Sequence, residues 1–295
     1  MKLLKAFPIL ILLVLSGCIG DNLDDCPPVD NVILYFEYPN FPEKIHRVNV
    51  GIFDKNGFHI LDQQVEKTDL DILQGIQLTL RNGEYTAICW SNGFDDTRIK
   101  GMAPDSYMND GELFHPNHGT TSKIPTLDSI HFGRLNFFIK SKDKVSHTVN
   151  LKPAHIKIHV FVEGLPILAT NPIPADFPAI RINNLNPVSN FEMNTYGTPV
   201  SFHPIVTVDN TEKMAIAKTN TFRFEDDNPI TVDVLERSNS SNILHTVNLK
   251  KFMEDNAITV IDGEELTIPI LITFGNGTVT VQLMDWRGVP VDPEI

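Results

Sequence analysis

From Val32 to the C-terminus the sequence repeats one pattern: a short run rich in Val, Ile, Phe and Thr, then a cluster of turn-forming residues. Period-2 alternation between frequent turn signals predicts β-strands stacked as sandwiches, so the fold class is all-β. The first set of strands is expected at Val32–Tyr38, Val48–Asp54, Phe58–Val65, Ile76–Leu80, Gly83–Ser91, Phe132–Ile139 and Val145–Leu151. The second follows Pro153, at His155–Glu163, Ile180–Asn183, Val200–Val208, Thr219–Phe224, Ile230–Leu235, Leu244–Leu249, Glu265–Thr273 and Thr278–Trp286. The repetition of strand sets predicts two domains, 31–152 and 153–295. Asn248–Asn256 is the one short helix expected. Asp54-Lys55-Asn56-Gly57 and Arg81-Asn82-Gly83-Glu84 carry Asn-Gly pairs, which suit tight hairpins. Two stretches, Asn92–Ile130 and Leu165–Ala179, read as long irregular loops.

The N-terminus has a different character. Lys2 and Lys5 precede an apolar stretch, Phe7 to Leu15, that is too short to span a bilayer. Residues 1–17 therefore read as a secretory signal. Leu15-Ser16-Gly17-Cys18 resembles the bacterial lipobox, which implies cleavage before Cys18 and a diacylglycerol on its thiol. Several acyl chains anchor a protein stably where one does so only reversibly. Residues 18–30 form an acidic tether, and Ile19–Asp25 looks like the signal by which Bacteroidales-type lipoproteins reach the outer face of the outer membrane; a plain solvated linker is the other reading. With Lys2 and Lys5 removed, the net charge of −13 becomes −15, which argues against a nucleic-acid partner.

Within the first strand set, Gly83–Ser91 carries bulk on both faces. Tyr85, Ala87 and Cys89 point one way; Thr86, Ile88 and Trp90 point the other, as in a central strand. Trp90 and Trp286 read as core residues. Lipidation of Cys18 leaves two thiols, Cys26 and Cys89. A disulfide could join them and tie the tether to the first sandwich; the alternative is a buried Cys89 and an exposed Cys26.

Ten histidines raise the question of a metal. His115-x-x-His118 sits in the long loop near Asp110 and Glu112, with His131 beyond it, but lacks the His-Glu-x-x-His helix pattern. His155 and His159 flank Lys157 on one strand face, which reads as a solvated surface. No metal site and no cofactor are expected. Asp226-Asp227 and Glu264-Glu265 read as solvated turns, and no Gly-x-Ser-x-Gly elbow, phosphate loop or Cys-x-x-Cys pair occurs. The chain is therefore expected not to be an enzyme and to take no small-molecule substrate.

Several segments together carry a family resemblance. The lipobox and Cys26-Pro27-Pro28 are followed by Val32-Ile33-Leu34-Tyr35-Phe36-Glu37-Tyr38 and Val50-Gly51-Ile52-Phe53-Asp54-Lys55-Asn56-Gly57. Asn82–Gly93, with its terminal Trp90, the stretch His155–Glu163 and the closing Thr278–Trp286 continue the pattern. These resemble the fimbrillin-associated anchor proteins of Bacteroidales-type fimbriae. The resemblance implies two transthyretin-like β-sandwiches in series. It also implies a protein that attaches a fimbrial shaft to the outer membrane and limits its length, with the shaft subunit as partner. Asp128-Ser129-Ile130 matches the pattern on which Bacteroidales-type envelope proteins carry O-linked glycans, which makes Ser129 a candidate modification site. A surface glycan-binding lipoprotein is the alternative, but two Trp and five Tyr are few for a sugar platform. Fimbriae of this type join subunits by strand exchange. Pro290 and Pro293 make the tail Gly288–Ile295 a poor donor strand. The partner is thus expected at a sheet edge of the second domain or at its loops, Leu165–Ala179 or Asn184–Thr198.

Overall fold

The computed structural model describes residues 29–140, 143–170, 177–239, 241–275 and 277–284. Cys18, Cys26, Trp286 and the tail 288–295 lie outside them.

The fold is all-β. The N-terminal half contains β1 (Val32–Glu37), β2 (Arg47–Asp54), β3 (His59–Glu66), β4 (Gly75–Leu78), β5 (Gly83–Ser91), β6 (Arg98–Lys100), β7 (Glu112–Phe114), β8 (His131–Ile139), β9 (Val145–Asn150) and β10 (Lys152–Pro153). Short helices α1 (Phe41–Lys44) and α2 (Lys67–Leu70) interrupt it. The C-terminal half begins with β11 (His155–Glu163), β12 (Ala179–Leu185), β13 (Val188–Asn190), β14 (Thr195–Tyr196), β15 (Val200–Phe202) and β16 (Val206–Asp209). It continues with β17 (Met214–Phe222), β18 (Thr231–Leu235), β19 (Ile243–Asn248), helix α3 (Leu249–Asp255), β20 (Thr267–Gly275) and β21 (Thr278–Leu283).

In the N-terminal half the sheet β4-β1-β9 faces the sheet β10-β8-β5-β2-β3, and Leu34, Phe36, Val50, Ile52, Ala87 and Cys89 fill the space between them. The C-terminal half pairs β16-β17-β11-β20-β21 with β15-β12-β18-β19. In each half the first strand also runs parallel to a late one, β1 to β9 and β11 to β20.

Local chemistry accounts for several elements. Between β2 and β3, Asp54 Oδ1 accepts from the N–H groups of Asn56 (2.8 Å) and Phe58 (2.9 Å), and Gly57 takes φ +77°. Only glycine adopts that conformation without strain. The second Asn-Gly pair does something else. Arg81–Glu84 connects β4 to β5, which belong to different sheets, so it forms a corner and not the expected hairpin. The expected helix is α3, capped by Asn248 Oδ1 accepting from Lys251 N at 3.0 Å. The expected single strand Val200–Val208 is divided. β15 and β16 lie in different sheets, because Pro204 between them has no N–H to give to a ladder.

The largest departure from expectation lies within Asn92–Ile130, which is mostly irregular as expected but not throughout. It carries β6 and β7, and β7 pairs with β13 of the other half through Glu112↔Asn190, Leu113↔Ser189 and Phe114↔Val188. The sheet β14-β13-β7-β6 is therefore shared by the two halves, and Asn184–Thr198 is committed to it. Its strands are too short for period-2 patterning to reveal, and their partners are remote in sequence. Glu112 on β7 ties the two outer strands together, accepting from Lys100 Nζ of β6 (2.9 Å) and Tyr196 Oη of β14 (2.8 Å). Gly111 is forced by packing: a Cβ there would stand 2.3 Å from the Phe191 ring.

The end of the same segment lies across the C-terminal half. His203 N donates to Ile124 O (2.7 Å), Asn220 N to Thr126 Oγ1 (2.9 Å) and Leu127 N to Asn220 O (3.0 Å). Beneath it the halves share one core, in which Phe53, Ile88, Trp90 and Phe132 join Ile156, Ile158, Phe191 and Phe202. The chain passes from one half to the other through Ala154 alone, which is 4% exposed and donates to Ile130 O at 3.0 Å. No linker separates β10 from β11.

Candidate docking groove and the cleft between the halves

Two places in the structure have the form of binding sites. The first is a groove of about 680 Å³ along the open side of the C-terminal half. Edge strands β19 and β21, from opposite sheets, form its walls, and α3 closes one end. The cap at Asn248 sets the direction of α3, so Leu249, Phe252 and Met253 pack inward and Lys251 and Asp255 pair at the rim (2.9 Å). Val247, Phe252, Val281 and Leu283 make the floor apolar. Among the described residues each edge strand has a neighbour on one side only, so the backbone N–H and C=O groups of its other side have no ladder partner there. Such an arrangement can accept an extended segment, with main-chain bonds to an edge and alternate side chains in the groove.

The second site is a cleft of about 320 Å³ where the halves meet. Its centre is Glu265, which accepts from Tyr38 Oη (2.6 Å) and from Lys44 Nζ at the end of α1, with Lys157 Nζ of β11 at 3.5 Å. Burial pushes the Glu265 carboxyl upward, but the hydrogen bonds from Lys44 and Tyr38 and the charge of Lys157 outweigh it and hold the group at about 2. The phenol of Tyr38 is pushed up, by burial and by its bond to that carboxylate. Behind them His131 and His155 meet edge to face, ring centres 5.4 Å apart. His131 Nδ1 bonds Ser91 Oγ (2.8 Å), and His155 Nδ1 donates to Ile130 O (2.9 Å). Both rings are 2% exposed, and burial lowers their pKa values to about 3 for His131 and about 4 for His155.

These findings correct two expectations. His155 is not on a solvated face, because the other half covers it, while Lys157 and His159 further along β11 are half-buried. Glu265 follows an exposed turn and keeps part of its surface in solvent, but it is also the junction of an ion-pair network spanning the halves. Tyr38, Lys44, Lys157 and Glu265 are scattered through the sequence, and the only local hint was a lysine between two histidines on a strand. By contrast Asp226 does sit at an exposed turn, where it accepts from Val260 N at 2.8 Å.

The remaining candidates are dispersed. Ser129 lines the cleft, half-buried, with its Oγ accepting from Asn220 Nδ2 at 3.2 Å. Asp128 beside it accepts from Phe94 N at 3.0 Å, and burial raises its pKa. Cys89 is fully buried between the N-terminal sheets, which pushes its thiol pKa up. His115 is turned onto its own loop, accepting from Asn117 N at 2.9 Å. Among the described residues no three His, Cys, Asp or Glu side chains come together around a metal-sized space. Trp90 is wholly buried, 4.7 Å from Phe132 and 6.2 Å from Phe191 between ring centres.

Fold and groove together define an all-β protein with unpaired sheet edges beside an apolar channel. Residues 23–289 match the family of fimbrillin-A associated anchor proteins Mfa1 and Mfa2, and the chain belongs to that family. The minor fimbrium anchoring subunit Mfa2 of Porphyromonas gingivalis is 28% identical over 171 residues; the match spans 52% of this chain and 52% of that protein, about half the length of each. The solved structure of the P. gingivalis fimbrial anchor protein Mfa2 superposes with a TM-score of 0.60 at 17% identity, covering 85% of this chain and 94% of that one. A candidate adhesin from Bacteroides ovatus superposes with a TM-score of 0.69 at 15% identity, covering 89% and 97%. The fold is common to all of them.

Proposed function

We propose that this protein is a lipid-anchored fimbrial anchor. In this reading Cys18 carries the lipid that holds it in the outer membrane, and residues 18–30 tether domain 31–152 near the surface. Domain 153–295, the second of two transthyretin-like sandwiches in series, receives the shaft. The observation that carries the reading is the groove between β19 and β21, on a chain of the fimbrial anchor family. Its occupant is an extended segment of the shaft subunit with apolar side chains at alternate positions. Once that segment is seated, the anchor terminates the shaft, and so limits its length. The shared sheet and the absence of a linker at Ala154 suit a protein that bears load, since force applied to one half passes directly into hydrogen-bonded strands of the other.

Pull-down of the shaft subunit tests the groove. Val281→Asp places a charge in the floor and is expected to weaken binding by at least about tenfold, the penalty of an unpaired carboxylate in an apolar contact. Deletion of Val289–Ile295 should leave binding largely intact. Undiminished binding by a folded Val281→Asp protein, or loss in the tail deletion alone, sinks the proposal. Cys18→Ala should abolish incorporation of a palmitate analogue and release the protein from the membrane fraction, because no helix among the described residues is long and apolar enough to cross a bilayer. Continued labelling of that variant would count against lipidation at Cys18.

A further inference from the structure

The cleft between the halves has an electrostatic character opposite to that of the chain around it. The protein carries a net charge of −13, yet Lys44 and Lys157 both converge here on one carboxylate, Glu265. A third cation, Arg223, lies near enough to act on His155 but does not line the cleft. Arg223 spends its guanidinium on the backbone, donating to Glu264 O (2.9 Å) and Ile261 O (2.6 Å), and shares the charge of Asp262 with Lys152, which pairs with that carboxylate at 2.9 Å. Two lysines therefore meet one carboxylate in a space of about 320 Å³, at the small end of ligand cavities.

The wall of this space also holds an unused polar atom. His131 is 2% exposed, and its Nε2 has no hydrogen-bond partner. When the Ser91 hydroxyl donates to Nδ1, the proton of the neutral ring sits on Nε2 as a free donor. A buried donor left unsatisfied is costly, by about 1–3 kcal/mol. Nε2 has almost no exposed surface, so an incoming acceptor reaches it only with a small shift of the ring, and one that does so removes that cost.

We propose that this cleft binds a small molecule bearing a carboxylate or sulfate group, held by Lys44, Lys157 and His131 Nε2, with Glu265 as the resident counter-ion. Glu265 has two effects. It ties the halves together through Tyr38 and Lys44, and it competes with the incoming anion for the two lysines. Removing its charge without changing its shape should therefore tighten anion binding, whereas an ion pair with a purely structural role predicts no anion binding in any variant.

The test is calorimetric titration of the full mature protein with galacturonate, with inorganic sulfate and with glucose. Galacturonate or sulfate should bind saturably and glucose should not. Binding of both anions assigns the site to the charged group alone, and binding of galacturonate only assigns it to an acid carried on a sugar. Glu265→Gln should tighten the anion by about fivefold and Lys157→Gln should weaken it by about fivefold, as expected for one partly exposed charge. Thermal melts of each variant confirm that it is folded. Absence of saturable anion binding in both the parent and Glu265→Gln overturns the proposal. So does binding unaffected by Lys157→Gln, or glucose binding as well as galacturonate.

Discussion

Replacing Trp90 by alanine is expected to destabilise the protein by about 3–5 kcal/mol, the range for deleting a large buried aromatic side chain, and to do so for both halves at once. Trp90 belongs to β5 in the N-terminal half, but its indole points into the core shared with Ile156, Ile158 and Phe191. The cavity would open between the halves and not within either. Trp90→Phe should cost much less. It keeps the aromatic contact with Phe132 and eliminates the buried indole N–H, which has no hydrogen-bond partner. Urea unfolding followed by circular dichroism, combined with limited proteolysis read separately on peptides from each half, measures this. A cost under about 1 kcal/mol, or a first transition confined to residues before Ala154, would show that the halves do not share a cooperative core.

Acid should loosen the same junction well before the carboxylates protonate. His131 and His155 are neutral in the folded protein, with pKa values lowered to about 3 and about 4 chiefly by burial. The facing charges divide: His155, Lys157 and Lys44 oppose protonation of His131 and Lys157 and Arg223 oppose that of His155, while Glu265 favours both and the hydrogen bond to Ile130 O favours that of His155. In the unfolded chain each histidine returns to a pKa near 6.5. Between these values the unfolded state binds protons that the folded state cannot, so stability falls as pH drops below about 6.5 and continues to fall until the folded-state pKa is reached. At pH 5 the loss is about 2 kcal/mol for each ring, or about 4 kcal/mol for the pair. Glu265, held at about 2, remains ionised throughout this window, and its own contribution is lost only below the ordinary glutamate range. Urea midpoints at pH 7.5 and pH 5.0 give the comparison. A His131→Gln/His155→Gln protein should show a flatter dependence whatever its absolute stability, and equal stability of the parent at the two pH values would refute the assignment.

Both expectations concern the junction, and it is there that reading the chain alone falls short. What residues 29–284 say about themselves is largely local. The alternation of Ala87, Cys89 and Ile88, Trp90 marks β5 as a strand buried on both faces, the Asp54–Gly57 turn carries its own hydrogen bonds and positive φ, and Asn248 caps the helix it precedes. These features depend on periodicity and on neighbours a few residues apart, so they are legible without a fold. The family resemblance was legible for a related reason, since it rests on strand motifs of the same local kind.

The groove and the cleft were not legible, because neither has a local signature. β6, β7, β13 and β14 are two or three residues long and acquire strand geometry only by pairing with one another across the chain. Which strands become the edges β19 and β21 depends on sheet order, a tertiary property. In the sequence His155 next to Lys157 looks solvated, and Glu265 beside Glu264 looks like a turn. Each acquires its chemistry from residues remote in sequence, His155 from Ile130 and His131 and Glu265 from Tyr38 and Lys44, which only docking of the two halves brings within reach. The residues alone thus determined that the chain would form strands and which faces would be apolar, while the contacts made where the halves meet, burial of the histidines and ion pairing of Glu265, decided which polar residues became a site.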